Sequence, residues 1–358
     1  MRKLCAAAVL AVVTVSMGAS RAYPGCDPTD PPPVGATQSI RGFEDVSGQY
    51  VLPDTPRPQA LVVMFHGYGN DSDSWVCHML DAAAHGAVAF ALDYRGTGWI
   101  GEPDANRGWF VKEGAEDSIA LASAFLRRFP SIRTVVSFGI SMGGNASGLA
   151  VSRMATRPGG APLFDYWIDV EGVVTLAEEY VLASAVGLVN EFAQRAADDM
   201  NEECRRNYSD LAACLADLTV LAHAGDIAAG GLRGAVVVHG LDDGLVPADQ
   251  SRQISTALRA AGVPVEQYTA LRRNDWQNAA TAEDEGGTTL SQNVAAPLLE
   301  AAGQPYSRPL AGHGWEGSDT HIVIKTAFNR LWRILDGGRA PRNAEFAVDG
   351  DAGRIRLV

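Results

Sequence analysis

Four runs of consecutive apolar residues form the framework of this sequence, and each ends close to a glycine. Such runs are typical of strands that are buried on both faces, as in a parallel sheet. The runs are Leu61–Phe65, Ala87–Tyr94, Thr134–Ile140 and Gly234–Val238. Further strand-like segments are Gln38–Phe43, Gln49–Leu52, Tyr166–Val170 and Val265–Leu271.

Segments with a helical spacing of apolar positions lie between these runs. They are Asp73–Ala84, Glu116–Phe129, Gly143–Met154, Ala248–Ala261 and the final Thr320–Leu335, which Asp319 or Thr320 would cap. Strands that alternate with helices form right-handed βαβ units. The pattern therefore predicts an α/β fold with a doubly wound, mostly parallel sheet.

Two stretches interrupt the alternation. Residues 174–230 are rich in Ala, Leu and Glu and contain no proline, so they predict a helical cap inserted over the carboxyl edge of the sheet. Residues 272–306 are polar and glycine-containing, which indicates an irregular excursion. We therefore predict a core of residues 23–173 and 231–340, a cap at 174–230 and a C-terminal tail at 341–358.

The first 22 residues have the features of a secretory signal peptide. Arg2 and Lys3 precede an apolar run, Leu4–Val15, and Ser20 and Ala22 occupy the −3 and −1 positions of a cleavage site. The run is too short to span about 30 Å of hydrocarbon as a helix. We therefore expect a secreted or extracytoplasmic protein without stable membrane insertion after cleavage, although a membrane anchor is the alternative.

Composition excludes several classes of protein. With 47% hydrophobic and 20% charged residues, the chain has the composition of a globular protein rather than of a disordered one. It has 29 Lys and Arg against 42 Asp and Glu, a formal charge of −13. We expect no nucleic-acid partner, because such binding depends largely on neutralising phosphates with cations.

Cleavage would remove Cys5 and leave four cysteines, which in an exported chain predict two disulfides. Three pairings are open. We favour Cys204 with Cys214, which closes a short loop, and Cys26 with Cys77, which ties the N-terminal segment to the first helix of the core. Four unpaired thiols are the alternative.

The segment Gly139-Ile140-Ser141-Met142-Gly143 matches the pattern G-x-S-x-G. It directly follows an apolar strand and opens a helix, which is the setting of a nucleophile elbow that exposes a serine hydroxyl. Ser141 is therefore the candidate nucleophile, with a bystander serine in a glycine-rich turn as the alternative. A serine nucleophile needs a base and an orienting acid, which follow it in the order Ser, acid, His.

The acid is predicted in the segment His239-Gly240-Leu241-Asp242-Asp243-Gly244-Leu245-Val246-Pro247, which follows a predicted strand. Asp243 is preferred over its neighbour Asp242, which would be an exposed turn residue.

Four segments in this order resemble the α/β-hydrolase superfamily: His66-Gly67-Tyr68-Gly69, the elbow, the Asp243 segment and Gly312-His313-Gly314-Trp315. The last resembles the histidine segment of dienelactone-hydrolase-like and prolyl-oligopeptidase-like members. The likeness covers roughly residues 55–170 and 232–336 and does not include the cap. It implies that Asp243 is the acid and His313 the base, although the distance of His313 from Val265–Leu271 departs from the compact family pattern. His321 is the rival base.

An oxyanion formed at Ser141 would need preorganised donors. We expect the backbone N–H of Met142 and, by resemblance to H-G-x-G members, that of Tyr68. No His-Glu-x-x-His, Cys-x-x-Cys or nucleotide-binding glycine motif occurs, so we expect neither a metal nor another cofactor.

The sequence thus predicts a secreted serine hydrolase that cleaves carboxylic esters, with a small-molecule or lipid ester as its substrate. A serine peptidase of prolyl-oligopeptidase type, an acyltransferase and a non-catalytic binding protein on the same fold are the alternatives.

Overall fold

The structure is a computed structural model of the chain. It describes residues 37–43, 46–95, 108–188, 191–241, 243, 245–270, 313, 322–349 and 354–358. The predicted signal peptide, Cys26, Asp242, the stretch 272–306 and His321 lie outside these residues.

The strands of the described chain form one ten-stranded sheet with the order β1-β2-β4-β3-β5-β6-β7-β8-β9-β10. The seven neighbouring strands β4-β3-β5-β6-β7-β8-β9 pair in parallel. At the two margins of the sheet, the pairs β1–β2, β2–β4 and β9–β10 are antiparallel. The predicted doubly wound, mostly parallel sheet is therefore confirmed. The strands are β1 Gln38–Phe43, β2 Val46–Val51, β3 Ala60–Phe65, β4 Ala87–Leu92, β5 Thr134–Ile140, β6 Tyr166–Val170, β7 Gly234–Gly240, β8 Val265–Ala270, β9 Ala344–Asp349 and β10 Arg354–Leu357.

The apolar runs of the sequence form strands that are covered on both faces. Every residue of β3, β4, β6 and β7 is buried. Five helices cover the two faces, with α2, α3 and α8 on one and α1 and α9 on the other. They are α1 Val76–Ala84, α2 Val111–Arg128, α3 Met142–Ser152, α8 Ala248–Ala260 and α9 Ile322–Leu335.

Aromatic side chains join α1 and α9 to the sheet. Phe328 of α9 stacks on Phe138 of β5 at 4.6 Å between ring centroids, and Trp75, just before α1, meets both rings edge-on. Burying a side chain of this size contributes about 1.5–3 kcal/mol. This face of the sheet is therefore held by large apolar side chains.

Four helices lie between β6 and β7, in the interval where we predict a cap. They are α4 Leu176–Gly187, α5 Glu191–Asn207, α6 Leu211–Asp217 and α7 Ala224–Ala229. The disulfide Cys204–Cys214 joins α5 to α6, which confirms that predicted pair. Cys77 is disulfide-bonded as well.

The segment predicted as a C-terminal tail contains two strands that the sequence analysis missed. β9 pairs with β8, and β10 pairs with β9. Charged residues interrupt the apolar ones in both strands, Glu345 and Asp349 in β9 and Arg354 and Arg356 in β10, so neither forms the continuous apolar run of a central strand.

Within the described residues, no single helix has the length and apolar character to cross a bilayer; the bent pair Leu211–Asp217 and Val220–Ala229 passes that test only when taken together.

Candidate active site

Ser141 lies at the sharp turn between β5 and α3. Its backbone has φ 56° and ψ −126°, in a region that residues other than glycine rarely occupy. Strain of this kind persists where the surrounding structure determines it, and it is the conformation expected of a nucleophile elbow. The turn places Ser141 at the N-terminus of α3, where the helix dipole favours negative charge.

The two glycines of the elbow motif are required by close packing. A Cβ at Gly139 would lie 2.0 Å from the carbonyl oxygen of Gly143, and a Cβ at Gly143 would lie 2.1 Å from that of Phe65. Both contacts are with backbone atoms, which have little room to move. The close approach of Gly143 to Phe65 also brings the elbow against the carboxyl end of β3, where the His66-Gly67-Tyr68-Gly69 segment begins.

The sheet register brings the ends of β5, β6 and β7 together. Ile140 pairs with Val170, and Val170 pairs with Val238. One residue later, the N–H of Ser141 donates to the Val170 carbonyl at 3.0 Å, and the N–H of Glu171 donates to that of Val238 at 2.9 Å. Ser141, Glu171 and His239 therefore follow one another across a single edge of the sheet.

Asp243 and His313 are in direct contact at this edge. The Nδ1 of His313 lies 2.7 Å from Oδ2 of Asp243, across 70 residues of sequence. The other oxygen, Oδ1, accepts the backbone N–H groups of Leu245 and Val246 at 2.8 and 2.9 Å. The Asp243 side chain is fully buried, and that of His313 is 11% exposed. The structure thus brings the predicted acid and the predicted base together.

His239 is a further partner of Asp243. Its Nε2 lies 3.1 Å from Oδ2 of Asp243 and 3.0 Å from the carbonyl oxygen of Val246. Burial opposes ionisation of Asp243, but the charge of His313 and the hydrogen bonds from both imidazoles hold the pKa of that carboxyl far below its usual range. Burial likewise opposes the charge on His239, yet its hydrogen bond to Asp243 and the charges of Asp243 and Glu171 raise its pKa.

Glu171 is a site residue that the sequence analysis missed. Its Oε2 lies 3.7 Å from Nδ1 of His313, and its Oε1 accepts the N–H of Gly240 at 2.9 Å. The signal in the sequence is a glutamate directly after an apolar strand and before a glycine, at the sheet edge that carries the elbow.

Helix α5 contacts the segment that contains Tyr68. The Tyr68 hydroxyl donates to Oδ2 of Asp199 on α5 at 2.6 Å, and the same oxygen accepts the N–H of Gly108 at 3.1 Å. The rings of Tyr68 and Trp109 lie 5.8 Å apart. Helix α5 therefore holds the side chain of a predicted oxyanion residue. Nothing in the sequence indicates Asp199 as its partner.

Helix α4 borders the site through Glu179. Burial of its carboxyl group and the charge of Asp243 raise the pKa of Glu179 to about 8, while the charge of His313 acts in the opposite direction. At neutral pH this side chain therefore adds little negative charge beside the imidazole.

Among the described residues, Glu171, His239 and Asp243 hold one donor atom each within 4.8 Å of one another, the spacing of a metal site. Oδ2 of Asp243 already accepts from two imidazoles, and Oε1 of Glu171 from a backbone N–H. Protein hydrogen bonds therefore occupy this cluster, and we assign it no metal.

A serine at a strand-to-helix elbow and an imidazole–carboxylate pair at the same edge of a mostly parallel sheet are features of the α/β-hydrolase fold. The chain belongs to the prolyl oligopeptidase family, because the sequence model of that family matches residues 72–280, more than half of its length. This confirms the resemblance found in the sequence.

Solved structures support the same fold. Acylaminoacyl peptidase from Pyrococcus horikoshii is 18% identical over 66% of this chain and 37% of its own, with a TM-score of 0.50. This chain therefore spans well under half the length of that peptidase. An acetyl ester-xyloside bifunctional hydrolase from Caldicellulosiruptor lactoaceticus is 16% identical over 85% of this chain and 97% of its own, also with a TM-score of 0.50.

Asp169 is a buried carboxyl group beneath the elbow. It is fully buried in β6, close to the backbone of Gly172 and Gly144, and neither of its oxygens has a hydrogen-bond partner among the described residues. Burial raises its pKa to about 7, against the opposing effect of His239. A folded-state pKa above the unfolded value means that stability is lost as pH rises from about 4 to about 7.

We therefore expect Asp169→Asn to lose this pH dependence. The free energy of unfolding of the variant minus that of the unmodified protein should increase by on the order of 3 kcal/mol from pH 4 to pH 8. Urea unfolding at both pH values measures this. Asp165→Asn, which removes the ion-pair partner of Arg157, is the control and should lower stability at neutral pH. If the free energies of unfolding of Asp169→Asn and of the unmodified protein changed in parallel with pH, the raised pKa of Asp169 would be contradicted.

Proposed function

We propose that this protein is a secreted serine esterase with Ser141 as nucleophile, His313 as general base and Asp243 as the orienting acid. The observation that carries the proposal is the 2.7 Å contact between His313 and Asp243 at the sheet edge that presents Ser141. The resemblance of the surrounding motifs to α/β-hydrolases supports the same roles.

The contacts support a two-step acyl transfer. With Nδ1–H of His313 donated to Asp243, Nε2 is the nitrogen that accepts the proton of Ser141 as its oxygen attacks a carbonyl. His313 then protonates the leaving alcohol, and water releases the acyl group by the reverse sequence. The buried carboxylate of Asp243, stabilised in its charged form, holds the imidazole and stabilises the imidazolium.

In this proposal, the backbone N–H groups of Met142 and Tyr68 donate hydrogen bonds to the oxyanion of the tetrahedral intermediate. Met142 is the first residue of α3, so its N–H lies at the positive end of that helix. The hydrogen bond from Tyr68 to Asp199 would restrain the second donor before substrate binds. The reaction needs no cofactor.

Two observations favour ester substrates, either small molecules or lipids. The likeness to the Caldicellulosiruptor hydrolase, whose name includes an acetyl ester activity, extends over nearly all of that protein. Helix α4 beside the site also exposes Val181 at 65%, and Leu188 directly after the helix is 84% exposed, which suits an apolar acyl group. A serine peptidase is the second candidate, because the family match is to prolyl oligopeptidases.

Secretion is proposed from the N-terminal sequence and is supported by the disulfide Cys204–Cys214. Disulfides persist mainly in oxidising compartments.

The first test is Ser141→Ala. The purified mature protein should cleave a short-chain activated ester and react with a fluorophosphonate, and the variant should lose both properties, with kcat reduced by at least about 10⁴. A panel of peptide amides measured alongside separates esterase from peptidase. Full activity in the variant would mean that the nucleophile is misassigned.

A second test distinguishes the two candidate bases. His313→Ala should reduce kcat to nearly the level of Ser141→Ala, because members of a triad act as a unit. His321→Ala should remain within a few-fold of the unmodified enzyme. Steady-state kinetics on one ester substrate measures both variants. The reverse result would assign the base to His321.

A third test concerns the hydrogen bond between Asp199 of α5 and Tyr68, the residue whose N–H we propose as an oxyanion donor. Tyr68→Phe removes the hydrogen bond to Asp199, and we expect kcat to fall by about tenfold, less than the ~100-fold cost of losing an oxyanion donor. Tyr180→Phe is the matched control, since it removes a hydrogen bond with Asn201 between α4 and α5. Equal effects in the two variants would argue against a special role for Tyr68.

A further inference from the structure

Glu171 is held in an unusual position at the carboxyl end of β6. It is fully buried, and its φ of 49° lies in the left-handed region that disfavours a residue with a Cβ. Its N–H continues the pairing of β6 with β7 by donating to the Val238 carbonyl. Unfavourable backbone conformations in buried positions are concentrated at functional sites.

The carboxylate of Glu171 joins two parts of the site. Oε1 accepts the N–H of Gly240 at 2.9 Å, which orients the group from the neighbouring strand. Oε2 lies 3.7 Å from Nδ1 of His313, the same nitrogen that Asp243 contacts at 2.7 Å. Carboxylates that follow two adjacent strands therefore converge on one imidazole nitrogen.

We propose that Glu171 is a second positioning carboxylate for His313, sharing with Asp243 the task of holding the imidazole and stabilising its protonated form. This inference rests on the proposed function, in which His313 is the general base. Asp243 makes the shorter contact and sets the tautomer. Glu171 contributes mainly negative charge, because 3.7 Å is longer than a normal hydrogen bond.

One further imidazole lies close to both carboxylates. His239 faces both from the end of β7 and contacts Asp243 at 3.1 Å. Glu179, which approaches from α4, is kept largely neutral at pH 7 by burial and by Asp243. The groups that act on His313 from β6, from the loop after β7 and from α4 are thus Glu171, Asp243 and Glu179.

Glu171→Gln tests the proposal, because glutamine can still accept the Gly240 N–H but lacks the charge. Removing a negative charge beside an imidazolium lowers the pKa of that imidazole. We expect the acidic limb of the pH profile of kcat/KM on an activated ester to move down by about half a pH unit. The value of kcat should fall by about threefold to tenfold.

Glu203→Gln is the matched control. Glu203 is also a buried glutamate whose Oε1 accepts a backbone N–H, from Lys112 at 3.0 Å, and none of its described contacts is with His313. A purely structural loss would affect both variants alike and leave the acidic limb in place. Thermal unfolding of both variants checks that they fold.

If Glu171→Gln does not fold, Glu171→Asp keeps the charge but withdraws it from His313, and a smaller shift in the same direction is expected. An unmoved acidic limb in a folded Glu171 variant would overturn the proposal. Loss of activity in Ser141→Ala alongside that result would leave the proposed function standing. Full activity in Ser141→Ala would instead overturn the proposed function itself.

Discussion

The parallel register of β5, β6 and β7 is the constraint on which the site depends. Ile140, Val170 and Val238 lie side by side in the sheet, so the residues that follow them emerge together at its carboxyl edge. Side chains alternate between the two faces of a strand, and a slip of one residue would turn each of them to the other face. Burial of these strands, complete in β6 and β7 and interrupted only at Thr134 in β5, makes such a slip unfavourable, because it would disturb the apolar packing on both sides.

The site combines negative and positive groups whose side chains are almost fully buried. Two carboxylates, Glu171 and Asp243, face two imidazoles, His239 and His313. A buried charge is tolerated when it is paired and hydrogen-bonded, and Asp243 accepts from four donors. Charge balance within the cluster therefore explains how an ionised aspartate is stabilised in the interior.

Much of this arrangement could be predicted from the sequence. The central strands form long apolar runs because they are buried on both faces, and the glycines of the elbow motif reflect the close contacts with Gly143 and Phe65. The order of Ser141, Asp243 and His313 was predicted from motifs, and the contact between the last two is present in the structure. Because 70 residues separate Asp243 from His313, only the resemblance of their motifs to α/β-hydrolases indicated that the two would meet.

The features that were missed depend on tertiary contacts. Glu171 acquires its significance from the parallel pairing of β6 with β7, and Asp199 from the position of α5 against the Tyr68 segment. Strands β9 and β10 were not predicted because charged residues interrupt their apolar positions. The start of the first predicted helix, Asp73–Ala84, also differs from the structure. A short 3₁₀ turn, Ser72–Trp75, is capped by Asp71 and precedes α1, which begins at Val76.

The buried carboxyl groups also couple folding to the solvent through proton uptake. Asp169, Glu179 and Glu203 have folded-state pKa values of about 7, 8 and 8, whereas model carboxyl groups titrate near 4. At pH 7 these three groups together therefore bind about two more protons in the native state than in the unfolded chain. Their protons come from the buffer, so the apparent enthalpy of folding includes its ionisation heat, and these three groups carry less negative charge than the formal count of −13 assigns to them.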